Sequence, residues 1–186
     1  MKKGTNPYKT ISREVIHSRN HMNFVKTKVL INGKEKDYSY ADISDGIGIV
    51  AVNDKGEVAL VGQWRYAIET YEWEIPAGMR EDGEDPLDTA KRELREEAGC
   101  TAKSWKKLGS FFMESNATNK VAHAFLATDL EMCDTDFDDD ENIEIEWIPL
   151  EEAVEKVLNG EIKNGLSSLG LLTARAQPEL QRKLQL

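Results

Sequence analysis

The feature that most limits the fold is one strongly marked helix in the middle of the chain. Asp85 is a favourable N-cap residue, and Pro86 suits the first helical position because the nitrogen there needs no hydrogen-bond partner. Gly99 marks the end of the helix, since glycine readily adopts the left-handed conformation found there. Apolar residues recur at helical spacing and predict a buried face, which consists of Leu87, Ala90, Leu94 and Ala98.

The segments around this helix have the pattern of strands. Asn32-Gly33 is a strong hairpin signal between "VKTKVLI" and "KEKDYSYADI", and Asp54 to Gly56 separates "IGIVAVN" from "EVALVGQW". Further strands are predicted at "YEWEIP" and near Trp105 to Met113, Val121 to Thr128 and Ile143 to Ile148, and two helices after Leu150. This order predicts a mixed sheet with helices packed on it. Residues 10 to 43 form a small β unit, so we expect a division into 1–43 and 44–186.

Composition excludes several classes of function. The chain has 186 residues and a formal net charge of −10, which argues against a protein that binds nucleic acid without sequence preference. Its two cysteines, Cys100 and Cys133, form neither a disulfide framework nor a zinc motif, and a reducing, cytoplasmic setting is expected. No stretch approaches the apolar length of a membrane span, so no membrane partner is expected.

Three carboxylates share one face near the end of the predicted helix. Glu93, Glu96 and Glu97 are spaced three and four residues apart, and the ordinary interpretation is a solvated helix face. Two facts weigh against a solvated face. The helix dipole disfavours negative charge at this end, and Arg92 and Arg95 are expected to point mostly away from the three carboxylates. A hard divalent cation such as Mg²⁺ removes both objections, since it binds carboxylate oxygens.

The spacing around these acids resembles the Nudix box. Gly78 is followed after five residues by Glu84, and after seven more by "RELREEAGC", which matches every fixed position of the pattern. Leu94 fits the first aliphatic position, and Cys100 is a small departure at the second. The resemblance implies an α+β chain with the Nudix fold, an α/β/α sandwich. Its mixed central sheet would carry the loop-helix-loop, with a small N-terminal antiparallel β-sheet beside it.

The resemblance also implies an activity and a set of residues. Nudix proteins mostly hydrolyse a nucleoside diphosphate linked to another moiety, using Mg²⁺ or Mn²⁺. Glu93, Glu96, Glu97 and the backbone carbonyl of Ala77 would be metal ligands, and Glu96 is also a catalytic candidate. Glu84 and Arg92 would pair and brace the loop. A nearby carboxylate would take the proton of the attacking water.

Two motifs beside the box narrow the branch. "VGQWRY" and "YEWEIPAG" look like those of the ADP-ribose pyrophosphatases and nucleoside diphosphate sugar hydrolases. Carried over from that branch, Arg65 would contact a substrate phosphate, and Glu74 and Gln63 would be further substrate-binding residues. The branch also has an N-terminal antiparallel sheet that mediates homodimerisation, and residues 10 to 43 fit that role.

The acidic segment "CDTDFDDDEN" has more than one interpretation. It fails as a calcium loop, because Asp139 replaces the required glycine and Ile145 stands where the closing glutamate belongs. A solvated loop accounts for most of its acids. The branch, however, places its catalytic base and a late metal ligand on a loop before the corresponding strand, so Glu141 is the first candidate, followed by Asp139 and Asp140.

One departure widens the expected substrate range. ADP-ribose pyrophosphatases typically have a proline about sixteen residues past the box, and this chain has Ser115 there. We therefore expect hydrolysis of several nucleoside diphosphate sugars, including ADP-ribose and GDP-mannose.

The alternative functions are a non-catalytic Nudix module that senses such ligands and a Nudix hydrolase of nucleoside triphosphates. The complete set of box carboxylates weighs against the first, and the surrounding motifs weigh against the second.

Overall fold

A computed structural model describes residues 5–133 and 143–184 of the chain. The order of elements is the one that the sequence predicts, with strands first, one central helix, further strands and then helices, and it includes one short 3₁₀ turn at Tyr66–Ile68. The strands are β1 Tyr8–Arg19, β2 Met22–Ile31, β3 Lys34–Ile43, β4 Gly46–Ala51, β5 Glu57–Arg65, β6 Thr70–Glu74, β7 Ala77–Met79, β8 Cys100–Phe112, β9 Val121–Met132 and β10 Glu144–Pro149. The helices are α1 Pro86–Ala98, α2 Leu150–Leu158, α3 Gly165–Arg175 and α4 Pro178–Leu184.

The first compact unit is an N-terminal antiparallel sheet in the order β1-β2-β3. Asn32 and Gly33 have φ values of 50° and 74°, the left-handed conformation that a tight hairpin turn requires, so the predicted hairpin is confirmed. A later segment, Phe112–Lys120, groups with this sheet. Within the unit, the Ala41 amide donates to the carbonyl of Ala117 at 2.9 Å. The division at residue 43 stays a prediction.

The second unit contains two sheets. In the larger one, ordered β7-β4-β9-β8, β4 runs parallel to β9 and antiparallel to β7. In the smaller one, ordered β10-β5-β6, neighbouring strands are antiparallel. The mixed sheet predicted from the sequence is therefore present.

Side chains alternate along β4 between two apolar clusters. Ile47 and Ile49 belong to the cluster that contains Ala90 and Leu94 of α1. Val50 and Val52, which point to the opposite face, belong to the cluster that contains residues of α2, α3 and α4. Helices consequently cover both faces of the strands, which is the α/β/α arrangement expected of the Nudix fold.

The C-terminal region differs from its prediction. The sequence predicts two helices after Leu150, and the structure has a third, α4, which begins at Pro178 and buries Leu180. Because α4 has only seven residues, its helical periodicity is too short to recognise in the sequence. In the part of the chain that the structure describes, every helix is too short or too polar to cross a membrane.

Candidate active site on the carboxylate helix

The helix α1 has the ends and the buried face that the sequence predicts. The Asp85 side chain accepts a hydrogen bond from the Leu87 amide at 2.9 Å, and Gly99 has a φ of 57°. Ala90, Leu94 and Ala98 are buried. These features fix the rotation of the helix about its axis, so the carboxylate face turns towards the loop that precedes it.

The three carboxylates of α1 differ in their surroundings. Glu93 and Glu97 are only 8% and 6% exposed, while Glu96 is partly exposed. Glu97 Oε2 accepts a hydrogen bond from the Ala77 amide at 2.7 Å, which holds this carboxylate beside the residue whose carbonyl is a predicted metal ligand. Two predicted ligands are therefore neighbours in the structure.

The carboxylate of Glu93 lies directly against the backbone of Gly78. A Cβ atom built on Gly78 would lie 1.8 Å from Glu93 Oε1, which no side chain could accommodate without displacing the carboxylate. The first glycine of the box is thus needed for close approach. Only a glycine permits Glu93 to reach this position.

Arg92 lies among the carboxylates, so the expectation that it points mostly elsewhere is wrong. Its Nη1 atom lies 2.6 Å from Glu93 Oε1 and 3.1 Å from Glu96 Oε2, and its Nη2 atom lies 3.4 Å from Glu84 Oε2. Arg95 Nη2 also contacts Glu96 Oε1, at 3.5 Å. The physical reason is charge balance, because half-buried carboxylates are costly unless a cation compensates them.

Glu84 is held by several donors at once. Its carboxylate accepts from the Thr89 hydroxyl at 2.8 Å, from the Glu81 amide and from both Nε and Nη2 of Arg92. Burial raises the pKa of the Glu84 carboxyl, but the hydrogen bonds from Arg92, Thr89 and the Glu81 amide outweigh it and leave the pKa below its ordinary value. For Arg92, burial lowers the pKa, and Glu84, Glu93 and Glu96 together raise it above its ordinary value. Both groups are therefore charged near neutral pH.

Arg65 and Glu74 form a bidentate ion pair between β5 and β6. Arg65 Nε and Nη2 donate to the two oxygens of Glu74 at 2.9 and 2.8 Å. The Asn164 side chain donates to Glu74 Oε2 at 3.1 Å, and its own Oδ1 accepts from the Ser167 amide as the N-cap of α3. Gln63 precedes Arg65 by two positions on β5 and therefore shares its face.

Sequence reasoning did not single out Asn164. Asparagine is a favourable N-cap residue, so Asn164 directly before Gly165 could have predicted the start of α3. Its contact with Glu74 spans 90 positions in the chain and cannot be read from local pattern.

Three candidates are not placed by the structure, since Glu141, Asp139 and Asp140 lie outside the described residues. Within residues 5–133 and 143–184, no three His, Cys, Asp or Glu side chains are gathered closely enough to hold a metal ion. Glu93 and Glu96 instead share the guanidinium of Arg92.

Comparisons with known proteins agree with this arrangement. The model of the NUDIX domain family matches residues 43–167. The chain is 32% identical to an ADP-ribose pyrophosphatase of Bacillus subtilis (strain 168) over 176 residues, covering 93% of this chain and 95% of that protein. It is 30% identical to an ADP-ribose pyrophosphatase of Mycobacterium tuberculosis, covering 91% and 84%.

A solved structure shows the same fold. The crystal structure of an ADP compounds hydrolase superposes with a TM-score of 0.80 and covers 97% of both chains, at 19% sequence identity. The chain is therefore an enzyme of the NUDIX domain family, related to ADP-ribose pyrophosphatases over nearly its whole length.

Proposed function

We propose that this enzyme hydrolyses the diphosphate of nucleoside diphosphate sugars, among them ADP-ribose and GDP-mannose, in a reaction that depends on Mg²⁺. The observation that carries the proposal is the carboxylate face of α1. Glu97 is anchored to the Ala77 amide, and Glu93 is seated in the space that Gly78 leaves. The products are a nucleoside monophosphate and a sugar phosphate.

The residues on this face suit a hard divalent cation. Glu93, Glu96, Glu97 and the Ala77 carbonyl would hold it, and all of them offer oxygen, the ligand that Mg²⁺ prefers and that Mn²⁺ also accepts. A cation held there supplies charge neutralisation for the diphosphate and lowers the pKa of water. Arg92 now balances Glu93 and Glu96, so its guanidinium must give up part of these contacts when the cation binds.

Arg65 would bind a substrate phosphate, because a guanidinium matches phosphate oxygens in charge and geometry. Glu74 has a preparatory role in this proposal. Its oxygens accept from Arg65 and Asn164, so Glu74 orients the guanidinium before substrate arrives. Gln63, on the same face of β5, would add an amide donor.

The chemical step requires a base. Water attacks one phosphorus, the bond from that phosphorus to the bridging oxygen breaks, and the bridging oxygen leaves as part of the second monophosphate. Glu141 would accept the proton of the attacking water, with Asp139 and Glu96 as the other candidate carboxylates.

We further propose that the enzyme acts as a homodimer. β1 is an edge strand of the N-terminal sheet, and its apolar residues Ile11, Val15 and Ile16 are all more than 40% exposed. An edge strand with exposed apolar side chains is prone to association unless something covers it. A second copy of the same sheet would cover these side chains with apolar side chains of its own.

The free cysteines, Cys100 and Cys133, suit a reducing cytoplasmic setting.

A substrate panel tests the proposed function. ADP-ribose, ADP-glucose, UDP-glucose, GDP-mannose, diadenosine polyphosphates and nucleoside triphosphates would each be incubated with and without Mg²⁺, followed by a phosphatase and a phosphate assay. We expect release that depends on the metal and is confined to the diphosphate sugars. Phosphate release from triphosphates alone would show that the substrates are nucleoside triphosphates. Ligand binding without any phosphate release would identify a ligand sensor.

A further inference from the structure

A cavity of about 270 Å³ lies beside β6 in the second unit, next to the Arg65–Glu74 pair, and most of its lining has been given no role above. Its lining residues come from the turn before β6, from β6 itself and from the start of α3. They are Ile68, Thr70, Glu72, Glu74, Lys163 and Asn164. β6 is an edge strand of its sheet, and its residues Thr70, Glu72 and Glu74, at alternate positions on one face, line this space.

Glu72 is the unusual member of the lining. The residue is 4% exposed, and its Oε2 atom is buried without a hydrogen-bond partner among the described residues. A buried carboxylate oxygen without a donor is unfavourable, and protein interiors rarely retain one. A ligand that donates a hydrogen bond to this oxygen would satisfy it.

Protein hydrogen bonds already hold two of the residues that line the cavity beside Glu72. Glu74, two positions along β6 and therefore on the same face, accepts from Arg65 and Asn164. The Thr70 hydroxyl donates to the carbonyl of Ile68 at 3.0 Å, which leaves its oxygen as an acceptor. Lys163 adds an ammonium donor to the lining. The cavity thus offers an acceptor and a donor on a preorganised surface, with Ile68 as an apolar side.

The position of the cavity relates it to the carboxylate helix. β6 runs from Glu72 through Glu74 towards Ala77, whose amide holds Glu97. Five residues of extended chain span at most about 17 Å. A substrate whose diphosphate lies at the carboxylate helix and at Arg65 can therefore extend one of its ends along β6 to Glu72.

We propose that the Glu72 cavity binds a hydroxyl- or amino-bearing end of the substrate, and that Glu72 selects it by accepting its hydrogen bond. This inference rests on the proposed function and names a specificity residue for it. A sugar hydroxyl and the exocyclic amine of a base share the required chemistry, because each donates to a carboxylate. Lys163 accepts no hydrogen bond, and it would donate to a neighbouring oxygen of the same group.

The test compares Glu72→Leu and Glu72→Gln with the wild type. Leucine has a similar size and removes both oxygens, and glutamine keeps the shape and removes the charge. Because Glu72 Oε2 has no hydrogen-bond partner within residues 5–133 and 143–184, we expect Glu72→Leu to melt at the wild-type temperature or above it. We expect KM to rise roughly 10- to 100-fold, the effect of a lost hydrogen bond to a charged group, with kcat changed less than about twofold. Glu155→Leu, an exposed change on α2, is the matched control and should alter neither constant.

The choice of substrates separates the two sources of the donor. A loss that follows the base, seen by comparing ADP-glucose with UDP-glucose, assigns the cavity to the base. A loss that follows the sugar, seen by comparing ADP-ribose with ADP-glucose, assigns it to the sugar, and a uniform loss assigns it to the ribose that all of them share. Unchanged kcat/KM for every substrate that the wild type hydrolyses would overturn the inference, as would a clear drop in melting temperature for Glu72→Leu.

A failure of the proposed function gives a different result. If the wild type hydrolyses nothing in the panel, calorimetric titration with AMP, GMP, ribose 5-phosphate and mannose 1-phosphate still tests the cavity. Binding to the wild type that Glu72→Leu abolishes would support the cavity as a ligand site. Absence of binding to the wild type would overturn it.

Discussion

At the level of single residues, the positions of the α1 carboxylates depend on a glycine without a side chain and on hydrogen-bond donors that contact the carboxylates. Gly78 leaves space for the Glu93 carboxylate, the Ala77 amide holds Glu97, and Arg92 offsets the charge of Glu93 and Glu96. These contacts are short and specific, so single substitutions should have separable effects on metal affinity and on stability.

Gly78→Ala should weaken the proposed metal site without unfolding the chain. The added Cβ would lie 1.8 Å from Glu93 Oε1 and must displace that carboxylate. Changes that misplace a metal ligand typically reduce affinity or activity about 10- to 100-fold, and we expect a loss of that size at limiting Mg²⁺. The measurement is kcat/KM for ADP-ribose across a Mg²⁺ titration.

Gly83→Ala is the matched control for that change, because Gly83 lies five positions later, between β7 and α1, and no atom of the described residues lies within 4 Å of its added Cβ. Its φ of 81° makes alanine strained there, so it should lower the melting temperature and leave the Mg²⁺ dependence unchanged. Equal Mg²⁺ dependence for Gly78→Ala and the wild type would contradict the role given to Gly78.

Glu84 should make the stability of the chain depend on pH in the acid range. Its pKa lies below the ordinary value of 4.5 in the folded protein, so its contribution is fully present above 4.5 and is lost as the pH falls through the folded pKa. Urea unfolding from neutral pH down to about pH 3 should show a steeper loss for the wild type than for Glu84→Gln. Parallel pH profiles for the two proteins would show that Glu84 gains nothing from Arg92 and Thr89.

At the scale of elements, the helix α1 links the apolar core to the carboxylate face. Leu94 is fully buried next to Glu93 in sequence, and its neighbours in the cluster include Ile47, Ile49 and Phe125. The packing of this side chain fixes which way the carboxylates point.

Leu94→Ala should therefore destabilise the fold strongly. Removing a fully buried leucine side chain costs about 2–5 kcal/mol, measured as the free energy of unfolding in urea. Leu158→Ala on α2 is the comparison, since Leu158 is 73% exposed, and its effect should stay within about 0.5 kcal/mol. A small effect of Leu94→Ala would mean that the helix is held by something other than this core.

Local pattern was sufficient to predict α1, the Asn32-Gly33 hairpin and the mixed sheet, because their signals lie within a few residues of one another. It was insufficient for α4, whose seven residues are too few for a periodic signal. The contacts that build the site come from distant parts of the chain, such as Asn164 on Glu74. The predicted direction of the Arg92 side chain was also wrong. Residue spacing identifies the helix face on which a long side chain begins, but it does not identify the groups that its flexible end contacts.

At the scale of the whole molecule, the N-terminal sheet carries the prediction of a homodimer. Ile11 and Ile16 occupy the two register irregularities of β1 against β2, and both side chains are exposed. Bulges of this kind are common on edge strands.

Ile16→Asp should convert the proposed homodimer to a monomer, because a charge placed in an apolar interface loses its hydration there. Size-exclusion chromatography with light scattering gives the mass. Leu158→Asp, at an exposed apolar position on α2, should leave the mass at that of the dimer. A wild type with the mass of a monomer, or an Ile16→Asp variant with the mass of a dimer, would contradict the homodimer.

The turnover of ADP-ribose by Glu97→Gln at saturating Mg²⁺ tests whether the carboxylate face of α1 holds the catalytic metal. Glutamine keeps the shape of the side chain and can still accept from the Ala77 amide, so the fold should be retained while the charge offered to the cation is removed. We expect kcat to fall by at least about 100-fold, with Glu155→Gln on α2 retaining wild-type turnover. Full turnover by Glu97→Gln would show that the carboxylate face of α1 does not hold the catalytic metal.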